Sequence, residues 1–180
     1  MKKTIRIDIE DYRNFIEKNH YSIDKTLLIK DFLDDGDKVT LITRPRCFGK
    51  TLNMSMMAEF LDITKDSKNI FKDTNIMRSD KAELINKIPV IFISFKDVKG
   101  SKKNFVRMLK KTILEEYRKY YFIIEQLNKL DKSTIEFTIK ELKKTTDENL
   151  IGINDSIQLL CQLLYDYFGK RVILFIDEYD

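Results

Sequence analysis

A strand, a loop and a helix are predicted in succession near the start of this chain, and that order leaves few choices of fold. The run Val-Thr-Leu-Ile-Thr at residues 39–43 leads into Arg-Pro-Arg-Cys-Phe-Gly-Lys-Thr at 44–51, and residues 52–61 have the composition of a helix. In this arrangement backbone N–H groups and a helix N-terminus point at a polyphosphate. The motif G-x-x-x-x-G-K-[ST] begins with glycine, where this chain has Arg44. The segment is therefore either a phosphate-binding loop or a simple turn between strand and helix.

The loop predicts a role for each of its side chains. Lys50 would reach the β- and γ-phosphates, and the Thr51 hydroxyl would coordinate Mg²⁺. Glycine is scarce, with five in 180 residues, which makes the one before Lys50 more informative. The predicted nucleotide-binding residues are Arg46, Cys47, Phe48, Gly49, Lys50, Thr51 and Leu52.

The other end of the chain carries a second signal. Residues 172–176 are Val-Ile-Leu-Phe-Ile, which is typical of a strand buried on both faces in a parallel sheet. Asp177 and Glu178 follow at its carboxyl end, where open α/β sheets bind ligands. In a P-loop protein this is the Walker B arrangement, with Asp177 on Mg²⁺ and Glu178 as the catalytic general base. A core strand followed by a charged turn is the plainer alternative, but the two signals together favour nucleotide binding.

Strands and helices alternate along the rest of the chain. We expect helices at residues 11–18, 27–33, 81–86, 135–142 and 156–168, a strand at 89–95, and one long amphipathic helix at 104–130. This alternation predicts an α/β fold, a three-layer α/β/α sandwich of the P-loop NTPase type with a mainly parallel sheet. Residues 1–36 form a helical lead-in, and 37–180 form a nucleotide-binding core with a helical insertion at about 101–168.

Composition narrows the class of protein. Apolar residues make up 43% and charged residues 34%, and no run is apolar for long enough to cross a membrane. The two cysteines, Cys47 and Cys161, resemble neither a disulfide framework nor a metal cluster, which favours the reducing cytoplasm. The net charge of +4 is mild and does not by itself indicate nucleic-acid binding. We expect the single histidine, His20, at the surface or in a linker.

GTPases use the same loop, and two further GTPase patterns occur here. Residues 97–100 fit D-x-x-G and residues 128–131 fit N-K-x-D, the motif that selects guanine. For that purpose Asn128 should end a strand, but the residues before it have helical spacing. We therefore expect residues 128–131 at the C-terminus of a helix, and GTP selectivity is the weaker alternative.

Three segments, residues 21–29, 39–56 and 172–180, resemble the AAA-ATPase-like family of predicted P-loop ATPases. In that family the loop typically reads R-P-R-R-F-G-K-T/S and the Walker B strand ends in D-E-Y-D. The resemblance extends over essentially the whole chain. It explains Arg44, because arginine is the family's own residue there, whereas Cys47 departs from the commoner arginine.

The resemblance implies specific roles for matched residues. Gly49, Lys50 and Thr51 would bind phosphate and Mg²⁺, and Asp177 and Glu178 would serve magnesium and water activation. Arg44 and Arg46 match the loop arginines and would add positive charge beside the phosphates, unless they are solvated or paired in salt bridges.

The implied function is binding of ATP with Mg²⁺ and its hydrolysis, coupled to an unknown partner or attached domain. The alternative is a nucleotide-binding switch, or a remnant, that does not hydrolyse ATP. Longer relatives often carry a C-terminal nuclease-like domain, so nucleic acid would be contacted only through a domain absent here. Since the sequence stops at Asp180, directly after the Walker B residues, we expect the N-terminal portion of a larger ATPase domain, incomplete at its C-terminus.

Overall fold

The computed structural model describes residues 9–21, 23–43, 48–96, 101–144, 150 and 152–178. The chain divides into two compact units, Met1–Ile88 and Pro89–Asp180. Helices occur in both units, and the second also contains a small parallel sheet. This confirms the α/β class. Within the described ranges, no helix combines the length and the apolar character needed to cross a membrane.

The first unit begins with two short helices whose ends follow from their sequence. The Asp11 carboxylate accepts a hydrogen bond from the backbone N–H of Asn14 at 2.7 Å and so caps the first helix. Gly36, with φ of 63°, ends the second in the left-handed conformation that glycine adopts without strain. The elements are α1 (Tyr12–Glu17), α2 (Leu27–Asp35), α3 (Lys50–Leu61), α4 (Lys68–Phe71) and 3₁₀ turns at Asn75–Arg78 and Ala82–Leu84.

Aromatic side chains join α1, α3 and α4 in one core. The Tyr12 ring stacks on Phe71 with 5.3 Å between centroids, and Phe71 meets Phe60 edge-on at 5.1 Å. In α3, residues 56–61 are all buried, as expected for a helix end that is enclosed on every side. The helix that follows the predicted loop is therefore confirmed, and its C-terminal half is fixed in the core.

The strand predicted at residues 39–43 is wrong. These residues have no regular secondary structure, and Val39 and Leu41 are 84% and 64% exposed. A strand requires hydrogen bonds to a neighbouring strand, and among the described residues none pairs with this segment. Its β-type composition was therefore not sufficient for a strand.

The second unit contains β1 (Val90–Ser94) and β2 (Ile173–Asp177), which pair in parallel. The register joins Val90 to Ile173 at one end and Ser94 to Asp177 at the other. Between the strands the chain forms α5 (Lys102–Lys119), α6 (Tyr121–Ile124), α7 (Lys129–Lys143) and α8 (Ser156–Phe168). A parallel pair requires such a crossover, so the prediction of parallel strands joined by helices is confirmed.

Side chains from the α5 region cover the outer edge of β1. The Tyr120 hydroxyl donates to the Val90 carbonyl at 2.7 Å and accepts from the Val90 N–H at 3.0 Å. The Phe92 N–H donates to the Glu116 carboxylate at 3.2 Å. Because backbone groups at this edge are satisfied by side chains, β1 is protected against pairing with another strand.

The single long helix predicted at residues 104–130 is also wrong. It ends at Lys119, because the Tyr120 hydroxyl is held at β1 and the chain turns there into the short α6. The helix predicted at 135–142 is the later part of the longer α7. The helix predicted at 81–86 is reduced to the 3₁₀ turn Ala82–Leu84, after which Asn86 adopts a φ of 52°.

The prediction that the last strand is buried on both faces is wrong for one face. Phe175 is 6% exposed, whereas Leu174 and Ile176, which point the other way, are 37% and 40% exposed. The Phe92 and Phe175 rings lie 6.2 Å apart, so the buried face continues from one strand to the other. No described residue covers Leu174 and Ile176 completely.

Candidate functional site

The backbone at the start of α3 requires glycine. Gly49 precedes the helix with φ of 73° and ψ of 26°, a left-handed conformation that side chains rarely adopt. A Cβ at this position would meet nothing within 4 Å, so the requirement comes from the backbone angle and not from crowding.

The first turn of α3 contains backbone N–H groups without a partner in the helix. Among the described residues no side chain caps this end, and the first helical hydrogen bond runs from the Asn53 N–H to the Gly49 carbonyl at 2.9 Å. The N–H groups of Lys50, Thr51 and Leu52 therefore have no acceptor within the helix. Together with the helix dipole they favour an anion, and the Lys50 side chain adds a positive charge at the same end.

The structure describes only part of the predicted loop. Phe48 is 59% exposed, and Lys50, Thr51 and Leu52 are half-buried. Arg44, Arg46 and Cys47 lie outside the described residues, so their predicted roles stay predictions.

The other end of α3 is fixed by a buried carboxylate that the sequence analysis missed. Glu59 has a side chain only 2% exposed, and it binds Arg13 of α1 and Lys65 through contacts of 2.6 Å each. The Ser67 hydroxyl donates to the same carboxylate at 2.6 Å, and the Asn86 side-chain amide donates to the Glu59 carbonyl at 3.2 Å. A single charged residue in the apolar run Met-Met-Ala-Glu-Phe-Leu was the signal that could have identified it.

The charge of Glu59 is stabilised by its partners. Burial alone would raise the pKa of this carboxyl, but hydrogen bonds from Lys65 and Ser67 and the charges of Lys65 and Arg13 outweigh burial and hold the pKa below its usual range. A carboxyl whose pKa is lower in the folded than in the unfolded state stabilises the protein above its unfolded pKa. That contribution is lost as the pH falls through the folded pKa.

We expect Glu59→Gln to lower the free energy of unfolding by about 2 kcal/mol at pH 7, because it removes both ion pairs while their cations remain. The loss is below that of a fully buried pair, since the side chains of Arg13 and Lys65 are 36% and 33% exposed and can be rehydrated. Urea denaturation at pH 7 and at pH 3 measures it. The difference from the parent protein should be smaller at pH 3 than at pH 7, because the Glu59 contribution is lost as the pH falls toward and through its folded-state pKa.

Glu17→Gln is the matched control for this prediction. Glu17 contacts the same Arg13 at 3.6 Å, but its side chain is 54% exposed. We expect a change within about 0.5 kcal/mol. Equal effects of the two substitutions would contradict the importance of the buried pair.

Asp177 ends β2 with its carboxylate buried. The residue is 5% exposed, and its Oδ2 atom has no hydrogen-bond partner among the described residues. Its backbone carbonyl accepts from the Phe95 N–H at 3.0 Å, which continues the ladder past the end of β1. An unpaired buried carboxylate oxygen costs roughly 1–3 kcal/mol unless a ligand satisfies it.

Glu178 follows in an unusual backbone conformation. Its φ is 52°, in the left-handed region, and its side chain is exposed. Non-glycine residues in this region carry a cost of about 1 kcal/mol and are often found at functional sites. The turn therefore separates a buried carboxylate at Asp177 from an exposed one at Glu178.

Carboxylate and hydroxyl oxygens are ligands of the kind that Mg²⁺ prefers. Within the described ranges, no group of three or more His, Cys, Asp or Glu residues is placed to bind a metal. Mg²⁺ is commonly bound by one or two protein oxygens, with water and phosphate completing its coordination. The unpaired Oδ2 of Asp177 is an oxygen of this kind, and the Thr51 hydroxyl is of the type that P-loops use.

The GTPase alternative is not supported by residues 128–131. Asn128 precedes α7, where its side chain accepts from the Asp131 N–H at 3.0 Å and donates to the Asp131 carboxylate at 2.6 Å. The segment is thus the N-terminus of a helix, and the prediction of a helix C-terminus is wrong. Residues 97–100 lie outside the described residues.

His20 lies in the link between α1 and α2, one of the two positions expected from the sequence, but it is buried and not at the surface. It is 7% exposed, and its ring lies 5.6 Å from that of Phe15. Cys161, on α8, is half-buried, and burial raises the pKa of its thiol. Both residues belong to the packing of their own units.

Comparison with known proteins identifies a family. Residues 6–180 match the model of the AAA-ATPase-like family, which is described as a family of predicted AAA-ATPases. No curated protein and no solved structure matches the chain.

Proposed function

Because the chain belongs to the predicted AAA-ATPase family, we propose that it binds ATP with Mg²⁺ and hydrolyses it. Family membership supports ATP binding in general. The observation that carries the rest is the buried Asp177 carboxylate, whose Oδ2 has no partner among the described residues. A cation would remove the cost of leaving that oxygen unpaired.

The phosphates of ATP bind, in this proposal, at the N-terminus of α3. The N–H groups of the first turn, which have no acceptor within the helix, and the Lys50 ammonium neutralise the negative charge of the β- and γ-phosphates. The left-handed Gly49 supports this role because it leaves no side chain beside the helix end. The other proposed nucleotide-binding residues are Arg46, Cys47 and Phe48 of the loop and Leu52 of the following helix.

The magnesium ligands in this proposal are those that the family resemblance implies, the Thr51 hydroxyl in the first unit and the Asp177 carboxylate in the second. Bound magnesium neutralises charge that develops on the phosphate oxygens. Glu178 acts beside it as the general base, orienting the attacking water and accepting its proton. Its exposed side chain leaves the carboxylate accessible to that water.

The wider organisation belongs to the same proposal. We infer a three-layer α/β/α sandwich of the P-loop type with Walker A and Walker B motifs, a helical lead-in at 1–36 and a nucleotide-binding core at 37–180. ATP turnover would be coupled in the cytoplasm to a protein partner or an attached domain. The Asn128 geometry favours ATP over GTP, because Asn128 serves a helix N-terminus.

Asp177→Asn tests the proposal through metal-dependent binding. We expect Mg²⁺ to tighten binding of a fluorescent ATP analogue by roughly 10-fold in the parent protein, and Asp177→Asn to abolish that gain, since the amide cannot replace a charged ligand. Titrations in Mg²⁺ and in EDTA measure it. Asp166→Asn, an exposed change on α8 in the same unit, should keep the full gain.

Equal affinities in Mg²⁺ and in EDTA for the parent protein would overturn the assigned metal site. Tight binding of Mg·ATP without release of phosphate would support the switch instead of the hydrolase. Retained metal dependence in Asp177→Asn would exclude that carboxylate as a ligand.

A further inference from the structure

The two strands of the sheet present three pairs of side chains on one face. The register aligns Val90 with Ile173, Phe92 with Phe175, and Ser94 with Asp177. The 6.2 Å separation of the two phenylalanine rings shows that the middle pair shares a face. Side chains alternate along a strand, so Ser94 and Asp177, two residues further on, lie on that same face. The last pair thus sets a hydroxyl beside a carboxylate at the carboxyl end of the sheet.

The polar atoms of this pair are incompletely used. Neighbouring strands lie about 4.8 Å apart, a spacing at which a serine hydroxyl can reach an adjacent carboxylate. Asp177 Oδ2 is buried and has no partner among the described residues. The Ser94 Oγ accepts a long contact of 3.4 Å from the Lys96 N–H, which leaves its own proton available for donation. Breaking so long a contact costs little.

We propose that Ser94 is a positioning residue for Asp177. By rotation of its side chain, the Ser94 hydroxyl donates to the Asp177 carboxylate and holds it in the orientation in which Oδ2 binds Mg²⁺. This inference rests on the proposed function, because it assumes that Asp177 binds the metal. No sequence pattern indicated this role, since Ser94 is a single polar residue within an apolar run, and its importance comes from the register with Asp177.

The test is the Mg²⁺ concentration that gives half-maximal binding of a fluorescent ATP analogue. We expect Ser94→Ala to raise this concentration about 10-fold, near the lower limit for one lost hydrogen bond to a charged group. Ser94→Thr keeps the hydroxyl and should restore the parent value. Binding in EDTA should be the same for all three proteins. A purely structural role of Ser94 would not change the Mg²⁺ requirement while leaving binding in EDTA unchanged. Ser133→Ala, an exposed change on α7, is the control and should match the parent.

The outcomes distinguish a failure of the role proposed for Ser94 from a failure of the proposed function. If Asp177→Asn loses metal dependence but Ser94→Ala titrates like the parent, the role of Ser94 is wrong and the proposed function stands. If Asp177→Asn keeps metal dependence, the proposed function fails first. Weakening by both Ser94→Ala and Ser94→Thr would show that side-chain shape matters and the hydroxyl does not, which would also overturn the inference. Thermal unfolding in EDTA checks that each variant is folded.

Discussion

Glu178→Gln is expected to lower the rate of ATP hydrolysis about 1,000-fold while ATP still binds. A carboxylate that accepts the proton of the attacking water contributes roughly 10²–10⁴ to the rate, and an amide cannot accept that proton. Because binding of the phosphates is assigned to other residues, the affinity for ATP should stay within about 2-fold of the parent value. Phosphate release under single-turnover conditions and an equilibrium titration with a fluorescent ATP analogue measure the two quantities.

The backbone at Glu178 makes glutamine the suitable replacement. Its φ of 52° would strain either side chain equally, so the substitution changes the chemistry and leaves the turn as it is. The control is Glu136→Gln, which makes the same change at an exposed position of α7. It should hydrolyse ATP at the parent rate.

Hydrolysis by Glu178→Gln at the parent rate would exclude Glu178 as the base. An equal loss of binding and turnover would place it in ATP binding instead. If the parent protein binds ATP but releases no phosphate, there is no hydrolysis for Glu178→Gln to reduce. The chain would then be described better as a nucleotide-binding switch.

Elements with strong local patterns were predicted well from the sequence. The parallel strand Val90–Ser94 coincides with a short, mostly apolar run that begins directly after a proline. The amphipathic pattern of Ser156–Phe168 defines α8. Both depend on residues close together in the chain. Residues 39–43 show the limit of such patterns, because their apolar residues are exposed and a strand also needs a neighbour to pair with.

Tertiary contacts decided what the local pattern could not. The amphipathic spacing continues past Tyr120, yet the helix ends at Lys119, since the Tyr120 hydroxyl bonds to both backbone groups of Val90, thirty residues earlier. Glu59 is similar, because its position in an apolar run is visible but its partners Arg13 and Lys65 come from separate segments. The sequence therefore predicted the middle of the helix correctly, but not where it ends or which distant residues contact it.

For the candidate site as well, local motifs could be predicted from the sequence and contacts between distant segments could not. Glycine, lysine and the paired carboxylates are predicted site residues from motif spacing, and the structure adds the left-handed angles at Gly49 and Glu178 and the burial of Asp177. The pairing of Ser94 with Asp177 could not be predicted, because it depends on the register between two strands that are far apart in the chain.

Lys50→Ala is expected to weaken ATP binding about 50-fold. A charge-assisted hydrogen bond to phosphate contributes about 1.5–3 kcal/mol, and alanine removes both the charge and the donors. The helix should be preserved, because alanine is the residue most favourable to helices and the Lys50 side chain makes no hydrogen bond or ion pair to another described residue of the first unit. Equilibrium titration with a fluorescent ATP analogue gives the affinity, and circular dichroism confirms the helix content.

Lys68→Ala separates a specific role of Lys50 from a general effect of charge. Lys68 is exposed and is likewise the first residue of a helix, α4, so its removal changes the net charge and a helix N-terminus in the same way. We expect its affinity for ATP to stay within about 2-fold of the parent value. If both variants weaken binding equally, the effect of Lys50 is long-range electrostatics, which raising the salt concentration would screen. If neither weakens binding, the phosphates bind elsewhere, and α3 is then a structural helix whose glycine serves only its own turn.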